Sequence, residues 1–72
     1  MDGISYRLKI RRDGIVKYYC EDGRFWNIKE IRTTRPKEFA QILEAQKTFY
    51  GWQRQNLSIA NDWGMQIEAI VK

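Results

Sequence analysis

The fold is decided by residues 4–31, which read ISYRLKIRRDGIVKYYCEDGRFWNIKEI. Apolar and polar side chains alternate from Ile4 to Arg12, which is the period of a strand with one buried and one solvated face. Asp13-Gly14 and Asp22-Gly23 separate this run from two further strand-like runs, and Asp-Gly in such a place is typical of hairpin turns. The stretch therefore predicts an antiparallel three-stranded meander.

Hydrophobic consistency selects a register for this meander. Three-residue loops that end in a left-handed glycine pair Arg11 with Ile15 and Cys20 with Arg24. A two-residue Asp-Gly turn is disfavoured, because it would place Lys17 and Lys29 on the apolar face. The favoured register gathers one apolar face, which consists of Tyr6, Leu8, Ile10, Val16, Tyr18, Cys20, Trp26 and Ile28.

The opposite face of the predicted sheet is basic and aromatic, and it carries no acid. In this register Tyr19 lies directly across from Phe25. Lys and Arg neutralise phosphates and aromatic rings stack on bases, so this composition suits nucleic acid. A solvated strand face that uses Lys and Arg for solubility is the alternative. The candidate nucleic-acid-binding residues are Arg7, Lys9, Arg11, Lys17, Tyr19, Phe25 and Lys29.

The next segment predicts an amphipathic helix of about four turns that covers the apolar sheet face. Thr33-Thr34-Arg35-Pro36 resembles a helix start, since proline is favoured in the first turn. Gly51 is a natural helix stop. Between them, apolar side chains recur at helical spacing, namely Phe39, Ile42, Leu43, Phe49 and Tyr50.

Residues 57–71 predict a second hairpin. Apolar residues alternate on both sides of Asp62-Trp63-Gly64, which has the same third-place glycine as the earlier turns. The alternative continues the helix through Gln53 to Ala60, and Gly51 is the main argument against it. The predicted fold is α+β, with the order β-β-β-α-β-β, in a single small domain over residues 1–72.

Composition excludes several classes of function. The chain has no histidine, so the commonest general base is absent, and we expect no enzyme. Its single cysteine, Cys20, cannot form an internal disulfide, and a structural zinc site needs about four Cys or His ligands. We therefore expect neither a metal nor another cofactor, and we interpret Cys20 as a small buried hydrophobe.

The positive charge of the chain lies in its first half. The net charge is +4, and residues 1–37 carry ten Lys or Arg against five Asp or Glu, whereas residues 38–72 carry three against four. No apolar run approaches the roughly 20 residues that span a bilayer. Met1-Asp2-Gly3 lacks the features of a signal peptide, so we expect a cytoplasmic protein with no membrane partner.

A three-stranded meander backed by one helix resembles the amino-terminal arm-binding domains of transposon and phage integrases and the related plant AP2 domains. The resemblance covers Tyr6 to Tyr50 and implies that the sheet faces a DNA major groove. Arg7, Lys9, Arg11 and Lys17 fall where such domains carry contacts. The chain is also similar, through YRLKI at residues 6–10 and LSIANDWGMQIEAIV at residues 57–71, to small phage and prophage accessory proteins. That likeness implies a host protein or nucleic acid as the partner.

Two functions follow from these observations. The first is a non-enzymatic module that binds nucleic acid through the basic sheet face. The alternative is a protein-interaction or inhibitor module that uses the same face or a strand edge together with Trp52 and Trp63, since aromatic residues anchor interfaces. A homodimer would help to stabilise so small a core, although pairing through the sheet face would bring the cations of two subunits together.

Overall fold

Four strands form one antiparallel sheet in the computed structural model, which describes residues 3–71. The strands are β1 (Ile4–Arg12), β2 (Ile15–Tyr19), β3 (Phe25–Asn27) and β4 (Gly64–Val71). A single 3₁₀ turn (Ile28–Glu30) and two helices, α1 (Ile42–Gln55) and α2 (Leu57–Asp62), lie between β3 and β4. The α+β class is confirmed, with the order β-β-β-α-α-β. The prediction about a signal peptide concerns Met1 and Asp2, which lie outside the described residues, as does Lys72.

Strand β1 is the centre of the sheet, whose spatial order is β3-β2-β1-β4. It pairs with β4 from Ile4, opposite Val71, to Arg11, opposite Gly64. On its other side it pairs with β2 through residues 9–12. The apolar residues of β1 on the side that the helices cover, Leu8 and Ile10, are only 1% and 2% exposed.

The first hairpin has a two-residue turn, so the predicted register there is wrong. Arg12 pairs with Ile15, which leaves only Asp13 and Gly14 in the turn. Their φ values are 50° and 80°, and two consecutive positive values are what a type I′ turn requires. The twist of this turn matches the twist of the strands, and that local preference outweighs the cost of moving Lys17 to the apolar face.

The second hairpin has the predicted register. The Cys20 amide donates to the Arg24 carbonyl at 2.8 Å, Gly23 has a φ of 84°, and Tyr19 lies across from Phe25. Because β2 and β3 keep their mutual register while β2 is shifted by one residue against β1, both strands present their other faces to the core. The side chains of Tyr19 and Phe25 therefore lie on the same face as Leu8.

Residues 35–39 are extended and lie between the end of β2 and the first half of β1, where these two strands no longer pair with each other. The Glu21 amide donates to the Arg35 carbonyl at 3.0 Å, and the Lys37 amide donates to the Tyr19 carbonyl at 2.9 Å. The segment then reaches β1, where Phe39 exchanges two backbone hydrogen bonds with Tyr6, at 2.9 and 2.7 Å. The segment between the sheet and α1 is thus anchored to two strands.

The predicted helix start at residues 33–38 is therefore wrong, and α1 begins at Ile42. Pro36 lies opposite Cys20, between Arg35, which accepts from the Glu21 amide, and Lys37, which donates to the Tyr19 carbonyl. A residue at such a position needs no N–H, so proline fits this extended segment as well as it fits a first helical turn.

Helix α1 continues through Gly51, so the predicted stop there and the first strand of the predicted second hairpin are wrong. The helical path bends at Asn56, whose Nδ2 donates to the Trp52 carbonyl at 2.9 Å, and α2 follows directly. Glycine costs a helix interior about 1 kcal/mol. The added turn places the Trp52 ring against Phe25, with ring centroids 4.7 Å apart, and burial of a large aromatic ring offsets that cost.

The core lies between the sheet and α1. Its buried centre is Leu8, Phe39 and Ala45, and the partly buried residues packed on it are Tyr6, Tyr19, Phe25, Phe49 and Ile67. The predicted helical stripe contributes only Phe39 and Phe49 to this core. Its other members, Ile42, Leu43 and Tyr50, are exposed, because the side of α1 that carries Ala45 faces the sheet.

None of the helices within residues 3–71 is both long enough and apolar enough to cross a bilayer.

The Gly51→Ala variant should raise the free energy of unfolding by roughly 0.8–1 kcal/mol, because alanine is the better helix former and an added Cβ at this position meets nothing within 4 Å. Urea denaturation measures the change. The control is Gly14→Ala, which should lower stability by roughly 1–2 kcal/mol because its φ is 80°. A loss of stability in Gly51→Ala would show that the helix ends at this glycine.

Candidate nucleic-acid interface

The sheet has a helix face, which packs on α1, and an open face on its other side. The alternation of β1 places Arg7, Lys9 and Arg11 together on the open face, as predicted. The strand residues that share this face are Ser5, Arg7, Lys9, Arg11, Val16, Tyr18, Trp26, Gln66, Glu68 and Ile70.

The open face also carries an acid, which corrects the prediction of an acid-free surface. Strand β4 brings Glu68 beside β1, where its Oε1 lies 3.4 Å from Arg7 Nη2 and its Oε2 lies 3.1 Å from Lys9 Nζ. Arg11 is exposed and forms no salt bridge within residues 3–71. One carboxylate is therefore shared by two cations, and the row of three cations remains positive overall.

The aromatic pair of the open face is Tyr18 and Trp26, not the predicted Tyr19 and Phe25, because the register of the first hairpin is shifted by one residue. The Arg7 guanidinium carbon lies 4.9 Å from the centroid of the Tyr18 ring. Trp26 Nε1 donates to Asp22 Oδ2 at 2.9 Å, which holds the indole at the β3 end of the face. Sequence reasoning missed both rings, and only the preference of Asp-Gly for a two-residue turn could have indicated them.

Three of the predicted binding residues, Lys17, Tyr19 and Phe25, lie on the helix face instead. Tyr19 packs in the core, with its ring centroid 5.4 Å from that of Phe25 and 6.5 Å from that of Phe39. Lys29 is exposed but lies in the 3₁₀ turn, where its own amide donates to Asn27 Oδ1 at 2.9 Å. The seven predicted residues therefore do not form one surface.

Lys17 and Phe25 instead meet the two tryptophans that were predicted to anchor a protein partner. They line a cavity of about 420 Å³, here called the aromatic cleft, between β2–β3 and the α1–α2 bend. The Lys17 ammonium lies 5.3 Å from the centroid of the Trp63 ring, and Phe25 meets Trp52 edge to face. The lining residues are Ile10, Lys17, Gly23, Arg24, Phe25, Trp52, Gln55, Asn56, Ile59 and Trp63.

The lining of the aromatic cleft contains two cations, Lys17 and Arg24, and no acid. The two acids next to these lining residues in sequence, Asp22 and Asp62, each have a partner. Asp22 accepts from the Arg24 amide at 3.0 Å, and Asp62 lies 3.9 Å from Arg12 Nη1. The cleft therefore combines aromatic rings with two cations that form no salt bridge within the described residues. Sequence reasoning missed Arg24 because it directly follows a turn.

Cys20 is the free thiol of the described residues and is fully buried, at 0% exposed. Its Sγ donates to the Tyr18 carbonyl at 3.4 Å. Burial raises the pKa of the thiol, and the nearby Asp22 carboxylate raises it further. Within residues 3–71, no three His, Cys, Asp or Glu side chains converge on a point where they could hold a metal ion.

Comparison with known proteins found no matching family model, no matching curated protein and no matching solved structure. The resemblance to integrase arm-binding domains and to phage accessory proteins stays a prediction.

The Cys20 thiol should not react with a disulfide reagent such as DTNB in the folded protein at pH 8, because only the exposed thiolate is reactive and the raised pKa favours the thiol. In urea the same thiol should react at the rate of a free cysteine. Absorbance of the released thiolate measures both rates. Rapid reaction without denaturant would contradict the buried position opposite Pro36.

Proposed function

We propose that this chain is a non-enzymatic module that binds nucleic acid through the open face of its sheet. The observation that carries the proposal is the row of Arg7, Lys9 and Arg11 on the central strand. Alternate residues of a strand are roughly 6.6 Å apart, so the row presents three cations in a line along which a phosphodiester backbone can lie. Basic side chains at phosphates supply most of the affinity of such a surface through release of counterions.

The neighbours of this row suit contact with phosphate and sugar better than base reading. Tyr18 and Gln66 flank Lys9 across the sheet and offer a hydroxyl and an amide. The Arg7 guanidinium is held over the Tyr18 ring, so its remaining donors have a restricted direction. Contacts of this kind position a protein on nucleic acid and carry little sequence information. We therefore expect weak sequence preference.

The same face offers little for catalysis, which supports a binding role. The chain has no histidine, and the carboxylate contributed by the strands of the open face, Glu68, is engaged by two cations. A general base must reach the proton that it removes, and both oxygens of this carboxylate already contact Arg7 or Lys9.

A second candidate function is protein interaction through the edge of the sheet. Strand β4 is eight residues long, and β1 is its only neighbour within the described sheet. Such an edge can accept a strand from a partner, and Glu68 is the one charged residue among residues 64–71. A protein partner that survives nuclease treatment of the complex would favour this function, whereas loss of binding on nuclease treatment would favour nucleic acid.

Affinity for duplex DNA should fall with salt, with a slope of log K against log salt of about −2 to −3, because each neutralised phosphate contributes about −0.9. The double variant Lys9→Gln with Arg11→Gln should reduce the slope by about 2. Fluorescence anisotropy of a labelled duplex measures both.

The matched control is Lys47→Gln with Arg54→Gln, which removes the same charge from exposed positions on α1. A salt-independent affinity, or an equal loss in the control, would overturn the open face as the binding surface.

The Glu68→Gln variant should bind duplex DNA more tightly, because it releases Arg7 and Lys9 from their shared carboxylate. We expect roughly a fivefold gain at low salt, since a unit charge at about 4 Å contributes ~1 kcal/mol in water. The control is Glu44→Gln on the exposed side of α1, which changes the net charge equally. Equal gains in the two variants would show that net charge, and not the open face, sets the affinity.

A further inference from the structure

The aromatic cleft lies on the opposite side of the sheet from the row of cations and is not used by the function proposed above. Its cavity of about 420 Å³ falls within the range of small-ligand sites, which is roughly 300–1,000 Å³. Lys17 of β2, Phe25 of β3 and Arg24, just before β3, supply one wall. Trp52 of α1 and Trp63, which directly follows α2, supply the other. The cleft is partly open to solvent and can accept a planar group between the sheet and the helices.

We propose that the aromatic cleft binds one unpaired nucleotide of a single nucleic-acid strand, which goes beyond the proposed function because it adds a second site on the other side of the sheet. The base stacks on an indole of Trp52 or Trp63, and its phosphate lies near Lys17 and Arg24.

The rings of the cleft are held in place before a ligand arrives. Trp52 packs edge to face against Phe25, with centroids 4.7 Å apart, and Phe25 is itself held by Tyr19 at 5.4 Å. A ring that is already ordered loses little freedom on binding, so more of the stacking energy appears as affinity.

The charges of the cleft select an anionic ligand. Neither Lys17 nor Arg24 forms a salt bridge within the described chain, and no acid lines the cavity. The Lys17 ammonium rests over the Trp63 ring at 5.3 Å. The ammonium covers one face of the Trp63 indole and can contact a phosphate, while a base stacks on the Trp52 ring or on the other face of Trp63.

Two amide side chains at the α1–α2 bend complete the site. Asn56 uses its Nδ2 on the Trp52 carbonyl, which leaves its Oδ1 free to accept, and Gln55 is exposed at the lining. Amide groups can pair with the edges of bases. Stacking inside a cleft requires a base that has left its duplex stack, so the ligand is an unpaired nucleotide.

Tryptophan fluorescence can test the cleft separately from the open face. The chain has three tryptophans, and Trp26 lies on the open face, so in Trp26→Phe all indole emission comes from the cleft. The probes are oligothymidylate of about 12 nucleotides, within the usual site size of roughly 4–16, and the corresponding duplex with oligoadenylate. We expect the single strand to quench the emission and the duplex to bind without quenching.

Removal of the stacking ring, in Trp63→Ala or in Trp52→Ala, should weaken single-strand binding roughly 5- to 150-fold and leave duplex binding unchanged. This is the range that loss of one stacked base produces. Lys17→Gln tests the same cleft without removing a ring, and it should reduce the single-strand salt slope by about 0.7. The matched control for the cation is Lys47→Gln.

Single-strand binding without quenching would overturn the cleft as the binding site. Equal single-strand affinity in Trp52→Ala, Trp63→Ala, Lys17→Gln and the controls would overturn it too. Stronger quenching by an acidic peptide that contains aromatic residues would overturn it as well. Loss of binding confined to Lys9→Gln with Arg11→Gln would support the open face as the binding site and contradict binding in the cleft.

Loss of binding confined to the cleft variants would support binding in the cleft and contradict the open face as the binding site.

Discussion

The turn at Asp13-Gly14 is the constraint on which the rest of the structure depends. Both residues have positive φ, at 50° and 80°, so the turn contains two residues and pairs Arg12 with Ile15. In a strand the side chains alternate between faces, and a shift of one residue exchanges every side chain of the following strand. This single turn therefore decides which residues of β2 and β3 face the helices.

That shift places the cations of β1 and the residues of the aromatic cleft on different faces of the sheet. The cations of β1 stay on the open face, because their alternation lies within one strand. Lys17 and Phe25 move to the helix face, where the extension of α1 and the start of α2 bring Trp52 and Trp63 to them. A row of cations and a cleft with aromatic walls thus lie on opposite sides of one sheet, and each can be altered without the other.

Local patterns predicted more of the fold than of the candidate site. Three local patterns were sufficient to predict their own elements, because each depends on neighbours in sequence. They are the alternation of β1, the second turn with Gly23 and the helical spacing near Phe49. Pro36 and Gly51 were misinterpreted for one shared reason. Proline fits an extended segment or a first helical turn, and glycine can end a helix or lie within one. Distant contacts decide between these conformations. They are the hydrogen bonds of residues 35–39 to the strands and the contact of Trp52 with Phe25.

By itself, the sequence determined that the protein is a small α+β fold with its positive charge in the first half and with Arg7, Lys9 and Arg11 on one strand face. Only the tertiary structure decided what surrounds these residues. Glu68 reaches Arg7 from 61 positions away, and the cleft combines residues of β2, β3, α1 and the end of α2. Periodicity reports the face of a residue within its own element. Which elements meet is decided by the burial of whole faces, which a single stretch of chain does not contain.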